Sequence, residues 1–314
     1  MANIKLKKPL LSAAILACLF GGALTTIGSM TGGVNDLVNS AKSKVKLTKK
    51  EESFSDLSSL NINLAARNLV ISESPDDKAH LTYYQSDGNY QIDGSSLGKI
   101  TTSSENGNLN INGNLNIKED GAGSFYISAG IRSLLSLFDQ ESQGKRTVQL
   151  SLPKGTKLET FSGSSSLGDV TLSNLSVKNA DFSLSNGSLT VNDSQFASGE
   201  IANSLGDVNL NSSKISDSTL KTSSGSLNSE RLELAGTISI TDQLGDINLH
   251  LVSGSLSQLS FDLKTDLGEI DIPSGMSVEH TKGDDVGDSA IRKVENPTTT
   301  LTASAQSGSI KLSE

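Results

Sequence analysis

Apolar and polar residues alternate along most of the chain after Phe54, the pattern of β-strands that bury one face. Within this region a glycine recurs in nearly the same local phrase, at spacings of 19, 19, 19, 20, 23 and 40 residues. The last spacing is twice 20, which is consistent with one missing glycine phrase. The recurring glycines are Gly168, Gly187, Gly206, Gly225, Gly245, Gly268 and Gly308. A fixed period of this length predicts a repeat protein.

Each repeat is too short for a helix–strand pair and is rich in Val, Ile, Leu, Ser and Thr. The pattern predicts an all-β, single-stack β-solenoid with about 19–20 residues per coil. At about 3.3 Å per residue, one coil has a perimeter near 60 Å, enough for a flattened loop of two or three strands. We expect the corner glycines to adopt positive φ or to approach another backbone closely. In the coil that begins at Gly168, the predicted inward side chains are Val170, Leu172, Leu175, Val177, Phe182 and Leu184.

The residue after each corner glycine is an acid or a serine, and the two alternate as far as Asp246. In chain order these residues are Asp169, Ser188, Asp207, Ser226, Asp246, Glu269 and Ser309. In stacked coils the alternation keeps carboxylates about 9.6 Å apart instead of 4.8 Å, which reduces like-charge repulsion. We expect each aspartate to cap its own turn through a local hydrogen bond. A Ca²⁺-binding edge is the alternative, but the Gly-Gly-x-Gly-x-Asp signature is absent from the sequence.

The N-terminal residues 1–30 combine a lysine cluster with an apolar run of 19 residues, from Pro9 to Ile27. This length is close to the roughly 20 residues that cross a bilayer as a helix. We predict a single-pass signal-anchor in the cell membrane, with the N-terminus in the cytoplasm and the C-terminal body outside. A cleaved signal peptide is a second interpretation. Lipidation at Cys18 is a third, since Ile15-Leu16-Ala17-Cys18 loosely resembles a lipoprotein cleavage site.

Beyond this segment, residues 31–53 are predicted to form a stalk or linker, and residues 54–314 the solenoid. The less regular residues 54–120 are expected to cap the first coil. Two insertions are predicted, at 119–146 and 279–296, the second as a charged loop. Within the first insertion, four apolar residues at helical spacing predict a short amphipathic helix that packs on the solenoid or docks a partner. These residues are Ile131, Leu134, Leu135 and Phe138.

Charge and composition exclude several classes of function. The net charge is −9 although residues 1–50 hold eight lysines, so the body is strongly acidic and nucleic acid is not expected as a partner. The sequence has one Cys, no Trp and three isolated histidines, His80, His250 and His280, so we predict no cofactor, metal or catalytic site. Glu269 and Asp271 could mimic a glycosidase pair, which keeps a polysaccharide-active enzyme as an alternative.

The strand at Thr147–Leu152, the phrase Leu-Pro-Lys-Gly-Thr and the serine-rich Gly-Asp coils that follow resemble the DUF4097 family of candidate adhesins from Gram-positive bacteria. The resemblance covers roughly residues 55–313 and implies a solenoid-like fold without established enzymatic activity. It also implies a setting of cell-envelope stress, alongside small membrane proteins and PadR-type regulators. We therefore expect a membrane-anchored, non-catalytic binding protein, with a membrane protein or a cell-wall polymer as partner. An adhesin for host or surface ligands is the alternative.

Overall fold

The computed structural model describes residues 47–86, 99–114, 144–282 and 287–314, which form two large β-sheets. The first, 11-stranded sheet contains β1 (Leu47–Phe54), β3 (Asn68–Glu73), β4 (Ala79–Ser86), β7 (Thr147–Leu152), β9 (Val170–Ser173), β11 (Leu189–Asn192), β14 (Val208–Asn211), β16 (Leu227–Glu230), β18 (Ile247–His250), β20 (Ile270–Asp271) and β24 (Ile310–Ser313). The second, 13-stranded sheet contains β2 (Ser59–Leu64), β5 (Lys99–Glu105), β6 (Asn108–Asn114), β8 (Lys157–Ser165), β10 (Ser176–Leu184), β12 (Gln195–Phe196), β13 (Gly199–Leu205), β15 (Lys214–Ser224), β17 (Glu233–Leu244), β19 (Leu259–Leu267), β21 (Glu279–Lys282), β22 (Asp288–Arg292) and β23 (Thr299–Ser307). A 3₁₀ helix, η1 (Ser255–Gln258), precedes β19.

Each coil contributes one or two consecutive strands to the 13-stranded sheet and one strand to the 11-stranded sheet, with a corner glycine between the two sheets. In one such coil β10 leads through Gly187 into β11. Equivalent strands of successive coils pair in parallel and in register, so that Leu189 lies opposite Val170 on one side and Val208 on the other. The sequence prediction of an all-β, solenoid-like fold with two or three strands per coil is confirmed.

The core is the thin space between the two sheets, where aliphatic side chains stack in rows along the solenoid. One row follows the corner and contains Val170, Leu189, Val208, Leu227, Ile247, Ile310 and Ile270, all buried. The six inward residues predicted for the coil after Gly168 are also all buried. Phe161 and Phe182 stack at a centroid distance of 5.1 Å in neighbouring coils. Every coil therefore buries a narrow apolar strip against its neighbours, which explains how so few aromatic residues suffice.

The C-terminal coils do not stack in chain order. The coil formed by β23 and β24 inserts between the coil of β17 and β18 and the coil of β19 and β20. The coil that contains Gly268 is therefore the outermost of the three, and the coil that contains Gly308 lies inside it. The chain therefore skips one position in the stack and fills it with its last coil.

The segment 279–296, predicted as a charged loop, contributes two further strands to this end. β22 pairs antiparallel with β19, and β21 pairs antiparallel with β22. Ala290 lies in the core and Asp288 is also buried. The hairpin therefore covers the edge of the 13-stranded sheet that β19 would otherwise expose, and an exposed edge would be a site for unwanted pairing.

The N-terminal end is interleaved in the same way. β2 and β3 form a coil that lies between the coil of β6 and β7 and the coil of β8 and β9. Antiparallel strands cover the outer edges: β4 and β1 in one sheet, and β5 in the other. Glu52 joins the two sheets, since it accepts hydrogen bonds from Tyr83 and Thr102, each at 2.7 Å. Residues 47–53, predicted as the end of a linker, instead form most of β1.

Candidate functional site

The corner glycines form a continuous ladder in which one backbone lies directly on the next. The ladder runs in spatial order through Gly168, Gly187, Gly206, Gly225, Gly245, Gly308 and Gly268. All except Gly245 have φ between 119° and 159°. A Cβ on Gly206 would overlap the carbonyl oxygen of Gly187, and a Cβ on Gly308 would overlap that of Gly245. The geometry explains the recurring glycine, because no side chain fits between the stacked backbones.

Polar side chains lie buried beneath the ladder, three residues before each of several corner glycines. Asn203 donates hydrogen bonds to the carbonyl oxygens of Gly187, at 3.2 Å, and Gly206, at 2.7 Å. Thr265 donates to the carbonyl oxygen of Gly308 at 3.0 Å. Asp242 occupies the equivalent place in its coil and is 1 % exposed, and this burial raises the pKa of its carboxyl group. In this row Asn203 and Thr265 supply donors to corner carbonyls.

The acid and serine residues after the glycines form a second row on the exposed side of the corner. Asp169 accepts a hydrogen bond from the backbone N–H of Ser188 at 2.9 Å, and Asp246 accepts one from Ser309 at 2.7 Å. Each of these aspartates therefore caps the next coil instead of its own turn, which corrects the sequence expectation. Asp207 makes the same contact with Ser226 at 2.9 Å.

Interleaving restores the alternation that the sequence breaks after Asp246. Ser309 lies between Asp246 and Glu269, since its backbone N–H reaches Asp246 and its hydroxyl accepts from the backbone N–H of Glu269 at 3.3 Å. Acids and serines thus alternate in space from Asp169 to Glu269 without interruption. Stacked in chain order, Asp246 and Glu269 would be neighbours at about 4.8 Å, where two carboxylates repel each other.

The residues before the glycines form a third row, which the sequence analysis missed. Leu205 pairs with Ser224, which pairs with Leu244. Ser307 then pairs with both Leu244 and Leu267. These three leucines are 48 %, 58 % and 53 % exposed, and they are the exposed large apolar residues of the described chain. The signal was visible in the sequence as an alternation of Leu with Ser or Asn before the recurring glycine.

Together the rows make an edge that we call the Leu-Gly-acid edge, defined by 205–207, 244–246 and 267–269. Its leucines recur about every 9.6 Å, because strands lie about 4.8 Å apart and every second coil carries one. Its carboxylates recur at the same interval. Within the described residues, no salt bridge neutralises Asp207, Asp246 or Glu269.

Some acids elsewhere on the outer surface are paired with lysines. Glu159, Glu200 and Glu233 pair with Lys178, Lys221 and Lys214 of nearby coils at 2.9, 2.7 and 2.6 Å. Asparagines form ladders on the other sheet, where Asn211 donates to Asn192 and Asn248 donates to Asn228, each at 3.0 Å. These side chains satisfy one another, whereas the Leu-Gly-acid edge combines carboxylates that have no salt bridge with exposed leucines.

The residues considered for catalysis do not converge. Glu269 and Asp271 are exposed, and Asp271 lies 3.5 Å from Lys311. His80 contacts Asp76 at 2.8 Å, His250 contacts Ser313 at 3.1 Å and His280 contacts Asp288 at 2.7 Å, in three separate places. Across 47–86, 99–114, 144–282 and 287–314, no cluster of three or more His, Cys, Asp or Glu has metal-binding geometry.

An open depression of about 790 Å³ lies at the C-terminal coils, lined in part by Leu256, Ile272 and Met276. Its basic groups already have internal roles. Arg292 donates to the carbonyl oxygens of Leu256 and Leu259, which fixes η1 against the start of β19. The depression therefore resembles a packed junction more than a ligand pocket.

The family model of Toastrack DUF4097 proteins matches residues 57–313. The chain belongs to the Toastrack DUF4097 family. The resemblance seen in the glycine phrases is thereby confirmed over nearly the same residues. No curated protein matches this Toastrack chain.

Three solved structures are similar in fold to this Toastrack chain. A candidate cell adhesion protein from Clostridium sporogenes is 11 % identical at a TM-score of 0.37, with 85 % of this chain and 99 % of that one covered. A candidate adhesin from Bacteroides fragilis is 16 % identical at 0.29, with 85 % and 96 % covered. A candidate adhesin from Parabacteroides distasonis is 10 % identical at 0.33, with 86 % and 98 % covered.

Two sequence-level predictions lie outside the described residues. They are the N-terminal membrane segment and the inserted helix with its docking candidates, Ile131, Leu134, Leu135 and Phe138. Within the part of the chain that the structure describes, no helix is both long enough and apolar enough to span a bilayer.

Proposed function

We propose that this Toastrack protein is a membrane-anchored, extracytoplasmic scaffold that acts by binding and not by catalysis, in the response of the cell envelope to stress or in surface interactions. The observation that carries the proposal is the Leu-Gly-acid edge. Three exposed leucines and their neighbouring carboxylates repeat on a backbone ladder that is stacked too closely to admit a side chain at its glycines. Large apolar side chains that share one exposed row are typical of an interaction site.

The anchoring part of the proposal rests on the sequence. The apolar run from Pro9 to Ile27 has the length of a membrane span, and Lys5, Lys7 and Lys8 flank the side predicted to be cytoplasmic. Such an anchor would hold the acidic body outside the membrane. Family membership supports the solenoid-like fold of that body.

Deletion of the gene in the source organism tests the role. The deletion strain should become more sensitive, or respond abnormally, to agents that damage the cell wall or the membrane, and the full-length chain should restore the normal response. Unchanged growth under every such agent would contradict the stress role. If the deletion strain instead loses attachment to host cells, matrix or glycan surfaces at normal stress tolerance, the surface-interaction role is the correct one.

A further inference from the structure

The Leu-Gly-acid edge has two properties that together restrict what can bind it. Leu205, Leu244 and Leu267 offer apolar contacts about every 9.6 Å, along a row about 19 Å long. Asp207, Asp246 and Glu269 run beside them with no ion pair among the described residues. A complementary partner must therefore carry apolar and positively charged groups at the same interval.

An antiparallel second copy of the chain and an anionic lipid surface are both disfavoured by charge. Two copies that bring their leucine rows together in an antiparallel arrangement also bring their carboxylate rows together. An anionic membrane would approach the same carboxylates, which it repels. Both occupants cover the leucines only at an electrostatic cost.

The spacing distinguishes between shapes of a cationic peptide. In an extended strand, residues on one face recur every 6.6–6.8 Å, which does not match about 9.6 Å. In an α-helix, residues seven apart recur about every 10.5 Å on nearly the same face, within about 1 Å of the leucine interval. A polyproline helix repeats at about 9.3 Å, but its recognition uses aromatic grooves, and Leu, Gly, Asp and Glu make up this edge.

We propose that the Leu-Gly-acid edge binds a cationic amphipathic α-helix, whose apolar stripe covers Leu205, Leu244 and Leu267 and whose Lys or Arg residues pair with Asp207, Asp246 and Glu269. The helix lies along the solenoid axis and spans at least two repeats of the edge. This inference rests on the proposed binding function and names the partner class and the site for it.

The test uses the full-length chain in nanodiscs of zwitterionic lipid and a fluorescein-labelled peptide of three heptads, with leucines on one face and lysines beside them. Fluorescence anisotropy measures the dissociation constant. One variant carries Leu205→Ser, Leu244→Ser and Leu267→Ser, and the other carries Asp207→Ser, Asp246→Ser and Glu269→Ser. Serine is the matched replacement, because it already fills the intervening coils of both rows, at Ser224 and Ser307 and at Ser226 and Ser309.

Each edge variant should bind the peptide at least about tenfold more weakly than the wild type. The acid variant should also lose most of the salt dependence, whereas the leucine variant should retain it. The control carries Glu159→Ser, Glu200→Ser and Glu233→Ser, which removes the same charge away from the edge and should change the affinity less than about twofold. Circular dichroism melting verifies that all variants fold.

Wild-type affinity in both edge variants would overturn the inference, as would an equal loss in the control. If the leucine variant loses self-association that the wild type shows, a second copy occupies the edge in place of the helix. If it loses binding to anionic vesicles, a membrane does. The proposed function is tested separately by complementation of the deletion strain. Edge variants that lose the peptide but restore stress tolerance would reject this partner while leaving the scaffold role intact.

Discussion

From Lys157 to His250 the chain adds one coil after another, whereas beyond His250 it leaves a position empty and fills it with its last coil. Both regions use the same glycine phrases and the same corner geometry. The difference is that chain order and spatial order agree in the central coils and disagree in the C-terminal coils. The alternation of acid with serine, and of leucine with serine or asparagine, holds throughout in spatial order. The residue patterns therefore follow contact between coils and not succession along the chain.

Replacing a corner glycine should destabilise the protein by a similar amount in both regions. Gly206→Ala in a central coil and Gly308→Ala in the inserted coil each place a Cβ on the carbonyl oxygen of the neighbouring glycine. We expect each to lower the free energy of unfolding by about 3 kcal/mol or more, because the backbones must separate. Urea denaturation measures the loss.

Gly155→Ala is the matched control for backbone strain. Gly155 has φ of 75°, but no atom lies within 4 Å of an added Cβ. Its cost should be about 1 kcal/mol, from conformation alone. If Gly155→Ala and Gly206→Ala lower the free energy of unfolding by similar amounts, contact between the stacked backbones is not the reason that glycine is needed at the corner.

The buried polar residue three positions before the corner glycine differs between a central coil, where it is Asn203, and the coil next to β23 and β24, where it is Asp242. Asn203 donates hydrogen bonds to the carbonyls of Gly187 and Gly206, whereas Asp242 can donate from its carboxyl group only when protonated. Burial raises the pKa of Asp242 above its ordinary value of 3.8. The folded chain then binds more protons than the unfolded chain. The stability due to protonated Asp242 is complete below that ordinary value and is lost as pH rises through the folded pKa.

Asp242→Asn should therefore stabilise the protein at pH 7 by about 1–2 kcal/mol, because it supplies a donor that does not ionise. It should also flatten the decline in stability between pH 4 and neutrality, as followed by thermal melting across pH. Asp262→Asn, at an exposed position, is the control and should change neither quantity. A less stable Asp242→Asn variant at pH 7 would contradict the interpretation.

An added charge in the acid–serine row should destabilise both regions to a similar extent. Ser226→Asp would lie between Asp207 and Asp246 in the central coils, and Ser309→Asp would lie between Asp246 and Glu269. Each should cost about 0.5–1 kcal/mol at low salt and less at high salt, since three carboxylates would stack at about 4.8 Å. Ser→Asn at the same positions keeps an acceptor without the charge and controls for size. A clearly smaller cost at Ser309 than at Ser226 would favour stacking in chain order.

The sequence predicted the central coils well because their contacts are local and periodic. The glycine spacing and the avoidance of adjacent carboxylates were readable from successive repeats, and the inward residues from Val170 to Leu184 were readable from a single coil. The interleaved order was not read, although Glu269 after Asp246 breaks the alternation and Ser309 restores it. No local rule specifies which coil fills a skipped position, since that depends on pairing between residues 40 apart on one side, as for Leu259 and Thr299, and 63 apart on the other, as for Gly236 and Thr299.

The edge strand β1 was missed for a different physical reason. β1 contains Lys49, Lys50, Glu51 and Glu52, and it is an edge strand without a fully buried residue. Charged side chains are typical of edge strands, so the alternation that marks an inner strand is absent. The Leu-Gly-acid edge lay within the phrases already aligned, but its leucines were attributed to the repeat because exposure cannot be read from a corner residue.

Cysteine pairs test the interleaved order most directly, in a background with Cys18→Ser. Asp246→Cys with Ser309→Cys should form a disulfide on mild oxidation, because the two residues lie in adjacent coils about 4.8 Å apart. Asp246→Cys with Glu269→Cys should not, because about 9.6 Å separates them. Mass spectrometry of the digested, unreduced protein detects the linked peptides. A disulfide between positions 246 and 269, with none between 246 and 309, would contradict the spatial order on which the alternating edge depends.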